Sequence, residues 1–359
     1  MLQPFALHKL DTGPATKVTL TREDALSMYK DLVFVRKIEG VANKLYKAKH
    51  IRGFCHLYTG QEAIAIGMLK SLRKQDSIIT SYRCHAFTAL MGVSALGMMA
   101  ELTGRVTGCS RGKGGSMHMY TPSFFGGNGI VGAQTPLGAG IAFAHKYKGD
   151  GGVNFAMYGD GAANQGQLYE ALNMAYLLNI PVIFVCENNG YGMGTSVMRS
   201  SASTDYYSRG DYVPGLKVDG MDTLATREAT RFCCEYSGSG PLMMEMETYR
   251  YYGHSMSDPG TSYRTRDEVQ EVRKTRDAIK TFKSKIIDSG LVKEDELKTI
   301  DQEMAKFCDE VGEKSLTEPE PDIKELAADV YYKNYGGKVR GVYPGLWYDH
   351  PEIAPRNLK

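Results

Sequence analysis

Gly159-Asp160-Gly161 and Asn188-Asn189 are the residues of this chain whose types and spacing most directly suggest chemistry, with residues 162–187 between them. An aspartate carboxylate and an asparagine amide oxygen are both hard oxygen donors. Placed at the ends of two neighbouring parallel strands, about 5 Å apart, they can reach one cation. Magnesium suits such a pair, because it takes few protein oxygens and completes its shell with water and substrate phosphate. Gly159 and Gly161 would then let backbone approach a diphosphate. A helix opening near Asn164 would add amide donors and a positive dipole end. An ordinary strand-to-helix turn and an Asn-Asn turn would explain either half alone, but not the two together at this spacing.

The elements that must position these residues are readable around them. Residues 153–158 predict a strand, 165–178 a helix and 181–186 a second apolar strand. Strand, helix, strand at this length is a βαβ unit, so the two strands should be parallel neighbours. In an open α/β sheet, ligands bind beyond the carboxyl ends of the strands. Thr21 followed by Glu23 and Asp24 predicts a helix start, with apolar periodicity on to about His50. A helix over 61–72, a short buried strand over 77–80 and a strand over 242–248 are also expected. Residues 104–132 are glycine-rich without helical or strand period, too long for an idle loop. From Arg266 the chain turns to charged helices, opened by the capping-box pattern Thr265-Arg-Asp-Glu268. After about Glu318 it is richer in Pro and Tyr and is expected to pack on another surface.

Composition closes off other classes. The chain has 359 residues, 42% hydrophobic and 23% charged, as globular proteins have. A net charge of +2 gives no case for nucleic acid. No apolar run is long enough for a membrane span. The seven cysteines form an odd set without a CxxC pair, which favours reduced thiols over a disulfide scaffold or zinc site. Residues 1–20 are neither apolar nor Arg-rich, so no signal or transit peptide is visible. Half of the 40 glycines fall between Gly104 and Gly194, which points to backbone brought close to a ligand or to repeated tight turns.

The Gly-Asp-Gly to Asn-Asn spacing resembles the fingerprint of thiamine diphosphate enzymes. Five further stretches narrow the resemblance: Arg52-Gly-Phe-Cys-His56, Ser81-Tyr-Arg83, Gly112-Lys-Gly-Gly-Ser-Met-His118, Gly126-Gly-Asn-Gly-Ile-Val-Gly-Ala-Gln134 and Tyr249-Arg-Tyr-Tyr-Gly-His-Ser-Met-Ser-Asp-Pro-Gly260. Together they are similar to the alpha subunits of the pyruvate dehydrogenase first component, of the eukaryotic mitochondrial type. The resemblance covers residues 20 to 350 or so. It implies an α/β thiamine diphosphate-binding fold, a mostly parallel sheet flanked by helices. Residues 1–20 would be an N-terminal extension and 21–265 the cofactor-binding domain. Residues 266–359 would be a charged helical extension and tail, packed on that domain or on partner subunits.

Carried over by position, the resemblance implies Mg2+ held by Asp160, Asn189 and the carbonyl of Tyr191. Tyr82, Arg83 and Arg250 would hold the diphosphate, His254 would approach it, and Gly161 and Ala162 would line its end. Gly129 and Val131 would hydrogen-bond the aminopyrimidine through their backbones. His56 would face the substrate, and His85 is a further catalytic candidate. Ser255, Ser262 and Ser196 match positions that a regulatory kinase modifies and a phosphatase restores. The activity would be oxidative decarboxylation of pyruvate, the acetyl group passing to the lipoyl domain of the dihydrolipoyl transacetylase. A mature mitochondrial matrix protein is implied.

One half of the site should be missing. Cofactor activation needs a carboxylate against the aminopyrimidine. Single-chain relatives supply it from a second α/β domain, for which this chain has no room. A beta subunit, in an alpha2-beta2 heterotetramer, would provide it. The close alternative is a branched-chain 2-oxo acid or acetoin dehydrogenase alpha subunit, and a more distant one is a non-catalytic regulatory subunit. Gly127-Asn-Gly-Ile-Val-Gly132 is a literal GxGxxG, but no adequate strand precedes it, which argues against nicotinamide binding. Gly108–Gly114 lacks the spacing of a nucleoside-triphosphate loop. Arg264 and Arg266 could be anion contacts or plain surface arginines.

Overall fold

A computed structural model describes residues 1–328, 330, 338–341 and 345–349. Its main sheet contains β1 (Ala6–His8), β2 (Ser77–Ile79), β3 (Asn154–Gly159), β4 (Val182–Asn188), β7 (Gly215–Asp219) and β8 (Leu242–Glu247). Two short strands, β5 (Tyr191–Gly192) and β6 (Thr195–Ser196), form a separate hairpin. The order across the main sheet is β1-β7-β8-β4-β3-β2. Five of these strands run parallel, and β1 adds to the β7 edge antiparallel. This is the expected mixed, mostly parallel α/β sheet.

β3 and β4 are buried on both faces, and their alternate residues feed two cores. Phe155, Met157, Ile183 and Val185 join one core with helix Arg22–Lys47. Ala156, Tyr158, Val182, Phe184 and Cys186 join the other with helices Gln134–Lys148 and Gly166–Leu177. Covered on both sides, such strands read as continuous apolar runs, which is why sequence found them. Gly138 permits the close approach of its helix. A Cβ there would stand 2.4 Å from that of Ala156.

Several expectations hold with small boundary shifts. The first long helix is Arg22–Lys47, capped by Thr21, whose hydroxyl accepts from the Asp24 amide. The helix expected over 61–72 is Glu62–Leu69. Thr265 caps helix Arg266–Thr275 as predicted, but the Glu268 carboxylate does not complete the box. It accepts instead from the hydroxyls of Tyr249 at 2.8 Å and Tyr191 at 3.3 Å. Helix Glu294–Thr317 lies along Arg22–Lys47, with Gly312 against Val41. The Pro- and Tyr-rich stretch beyond Glu318 falls partly outside the described residues.

One buried residue gathers four amides of the glycine-rich segment. Glu101, fully buried in helix Ala95–Leu102, accepts the amides of Ser110 and Gly112 on Oε2 and those of Gly114 and Gly115 on Oε1. A Cβ at Gly108 would collide with that carboxylate at 2.4 Å. The loop is irregular because its amides turn inward to an anion, not to a neighbouring strand. Farther on, residues 123–126 run beside β2. Six of the seven cysteines are buried. Among the described residues, no helix is long and apolar enough to cross a membrane.

Candidate active site

Parallel pairing of β3 with β4 places Gly159 opposite Glu187. Asp160 and Asn189 therefore leave the sheet side by side, at its carboxyl edge. They line a cavity of about 240 Å³ together with Tyr82, Arg83, Val131, Gly161, Ala162, Tyr191, Arg250 and His254. Gly161 and Gly192 pack against one another on its wall, and a Cβ on either would stand 3.1–3.2 Å from the other's Cα. Sequence had no signal for Gln61, Gln134 and Met193, which also line it. Glu187 could have been found by register, since it lies opposite Gly159, one residue before the end of β4.

Asp160 is 1% exposed, and its Oδ2 has no hydrogen-bond partner. Burial pushes its pKa up to about 6, against the pull of amide hydrogen bonds and of Arg250. Asn189 donates Nδ2 to Gln61 Oε1 at 3.2 Å, and its Oδ1 accepts the Tyr191 amide at 3.4 Å. Glu187 is also buried, and its pKa rises to about 7 despite donors from Tyr58 and Gln61.

Two buried cations oppose these groups. Arg83 donates to the carbonyls of Leu57 and His254, and burial lowers its pKa. Arg250 is 1% exposed and donates to the Tyr263 hydroxyl and the Met193 carbonyl, while its Nε is buried without a partner. Neither has a carboxylate within ion-pair distance among the described residues. Buried arginines left this way favour an anionic ligand.

The segment after β8 is irregular but densely bonded. Asp258 accepts from the amides of His254 at 2.6 Å and Gly260 at 2.8 Å, and from the Tyr263 hydroxyl. Arg264 is buried and donates to the carbonyls of Arg250 and Tyr252, with its guanidinium against the rings of Tyr191, Tyr249 and Tyr263. It braces this segment and is not a surface arginine. Ser255 is buried, with its Oγ 2.8 Å from that of Ser257. Ser262 is exposed and Ser196 half-buried.

The histidines separate. The ring of His56 lies 4.4 Å from that of Tyr82 and 5.1 Å from that of His254, and its Nδ1 donates to the His254 carbonyl at 3.0 Å. Burial, then Arg83, lowers the pKa of His56 to about 3 and that of His254 to about 4. Both are neutral near pH 7. Neither His85 nor His56 lines the cavity, and the His85 ring is buried between Glu39 and Ser116. Gly129 is exposed and also off the cavity wall, whereas Val131 lies at its mouth. The Val131 carbonyl accepts from Gln165 and Gln167.

The low pKa values fix a pH dependence. An unfolded histidine protonates near pH 6.5, so between pH 6.5 and 4 the unfolded chain binds more protons than the fold. Stability should fall on acidification, by up to about 1.4 kcal/mol per pH unit for His56. Urea denaturation of wild type and His56→Gln at pH 7 and pH 4.5 measures this. The variant should show the shallower loss, and equal losses would contradict it.

The dehydrogenase E1 component family model matches residues 30–324. The chain belongs to that family. A probable pyruvate dehydrogenase E1 component subunit alpha, mitochondrial, from Caenorhabditis elegans is 60% identical over 341 residues, covering 94% of this chain and 86% of that protein. The type II alpha subunit of Ascaris suum is 58% identical, over 94% and 87% of the two chains. The somatic human alpha subunit is 55% identical, over 93% and 86%. The E1 family depends on thiamine diphosphate. In this E1 chain the orphaned Asp160 oxygen and the two arginines without carboxylate partners fit a metal-bound diphosphate. Among the described residues no three His, Cys, Asp or Glu side chains form a metal cluster. A cation here would rest on one carboxylate with amide and carbonyl oxygens, a donor set that suits magnesium.

Proposed function

We infer that this chain is the alpha subunit of the thiamine diphosphate-dependent pyruvate dehydrogenase component, an E1 enzyme. Its activity is oxidative decarboxylation of pyruvate with reductive acetylation of a lipoyl group. The observation that carries this is the buried Asp160 carboxylate with a free oxygen, facing Asn189 in the same cavity as Arg83 and Arg250. Bound thiamine diphosphate supplies an electron sink for the carbon that loses carbon dioxide.

Asp160, Asn189 and the Tyr191 carbonyl would hold Mg2+. Arg83 and Arg250 hold the diphosphate charge, with Tyr82 beside them. His254, neutral, sits against this end. His56 donates its Nδ1–H to the His254 carbonyl, which leaves Nε2 as an acceptor that would face the substrate. Val131, on the cavity wall, is 43% exposed, and its neighbour Ile130 is 76% exposed. That supports a beta subunit closing the site and bringing the activating carboxylate. The lipoyl domain of the transacetylase would then enter from the same side, in the mitochondrial matrix.

Reconstitution with the beta chain and a substrate panel tests this. Pyruvate should be turned over in preference to branched-chain 2-oxo acids and acetoin, and the chain alone should turn over none. Preference for another substrate, or full activity without a beta chain, would overturn it.

Serine phosphorylation by a regulatory kinase, reversed by a phosphatase, would act on the His254 segment. A phosphate on Ser255 adds about two negative charges at a buried hydroxyl packed on Ser257. The segment must open to accommodate it. A homogeneous Ser255 phosphoprotein should lose at least about tenfold in turnover and be cut faster by protease within 253–264; unchanged turnover would refute the switch. Ser262 and Ser196 are the other two candidates.

A further inference from the structure

We propose that Glu39, His85 and Ser116 form a directed hydrogen-bond chain that positions His56 beside the cavity. The proposal rests on the function inferred above. The three residues come from separate parts of the sequence: Glu39 from helix Arg22–Lys47, His85 from helix His85–Leu90, and Ser116 from the glycine-rich segment. All are buried, at 0%, 1% and 4% exposure, and none lines the cavity.

A carboxylate can only accept, so His85 Nδ1 donates to Glu39 Oε2 at 2.9 Å. The other carboxylate oxygen accepts the Tyr58 amide at 2.6 Å. On the far side of the ring, Nε2 lies 2.9 Å from Ser116 Oγ. That oxygen also accepts the His56 amide, at 3.1 Å. Ser116 has one proton to give. Given to His85 Nε2, it sets a single direction, from Ser116 through His85 to Glu39. A polarised chain of this kind strengthens each bond in it. Its working end is the His56 backbone, and through it the place of the His56 ring between Tyr82 and His254. Glu39, His85 and Ser116 are positioning residues that act through His56, whose ring packs on the cavity-lining rings of Tyr82 and His254.

The test uses the tetramer assembled with its beta subunit, carrying Glu39→Gln or Ser116→Ala. Each should lower kcat/KM for pyruvate roughly tenfold, the change that one buried hydrogen bond carries, mainly through KM. Affinity for thiamine diphosphate, set by Asp160, Arg83 and Arg250, should stay within about twofold. Nitrogen NMR of histidine-labelled wild type should show His85 protonated on Nδ1 and bare on Nε2, and Glu39→Gln should shift that balance. Unchanged kcat/KM in both variants, or a wild-type His85 protonated on Nε2, overturns the proposal. So does a loss of cofactor affinity as large as the loss of kcat/KM, because the chain would then hold only the fold. A wild-type tetramer inert toward every 2-oxo acid would refute the functional inference instead, and the ring tautomer would still decide the direction of the chain.

Discussion

Asp160→Asn should make the metal-free chain more stable and the assembled enzyme inactive. The carboxylate is almost fully buried, with one oxygen unpartnered and its pKa raised to about 6. Its folded pKa lies above the unfolded value, so the fold binds more protons than the unfolded chain between about pH 4 and 6. Stability of the metal-free chain therefore falls as pH rises through that window and stays low above it. The cost near pH 7 is about 3 kcal/mol. Asparagine removes the charge at nearly the same volume. Part of the gain is lost, because the carboxylate also accepts the Asn189 amide. A net gain of about 1–2 kcal/mol at pH 7, vanishing below pH 4, is expected from urea denaturation. The same change exchanges a charged ligand for a neutral one, so magnesium-dependent cofactor binding should disappear. A variant less stable than wild type without metal, or one still active, would contradict this account.

Arg250→Met is the second large effect. The guanidinium is buried, has no carboxylate partner among the described residues, and keeps its Nε unpaired beside the cavity. Methionine fills part of the volume but offers a diphosphate nothing. Loss of two charge-assisted hydrogen bonds is worth about 3–4 kcal/mol, or roughly a hundred- to thousandfold in cofactor affinity. Arg250→Lys should recover only a small part, because an ammonium cannot make the planar two-pronged contact. Titration of each variant tetramer with thiamine diphosphate measures this directly. Equal affinity in Met and Lys variants would remove Arg250 from the diphosphate site.

The parts of the fold that sequence revealed share a physical cause. β3 and β4 are buried on both faces, so their apolar runs stand out between Gly, Pro and Asn, and the two oxygen donors follow from parallel register. β7 did not stand out, because Lys217 and Asp219 interrupt it, and Lys217 serves the ion pairs with Glu245 and Glu247. Helix Thr223–Tyr236 was hidden by its threonines, which have poor helix propensity. Thr226 and Thr230 return their hydroxyls to carbonyls four residues back. Packing rescues this helix: Gly67 leaves room for Thr226, where a Cβ would stand at 2.6 Å. β1, three residues long, is defined by its partner strand alone.

The candidate site divides in the same way. Asp160, Asn189, Arg83 and Arg250 were legible as candidates because they sit in short motifs, and the structure brings all four to one cavity. His85 looked catalytic only because it follows Tyr82-Arg83; its helix turns the ring inward to Glu39. Glu101 had one available signal, a lone acid in an apolar helix just before a glycine-rich stretch. That it binds four amides depends on how the loop closes, which composition does not encode. The glycines at 104–115 thus serve a carboxylate of the chain itself, while Gly161 and Gly192 serve the cavity.

This chain should provide the metal and diphosphate half of a thiamine diphosphate site. Calorimetric titration of thiamine diphosphate into the complex with the beta subunit, with and without magnesium, tests it most directly. One site per alpha chain is expected, one that needs magnesium, vanishes in Asp160→Asn and is much weakened in the chain alone. Binding of equal strength without divalent metal, or binding unaffected by Asp160→Asn, would contradict it.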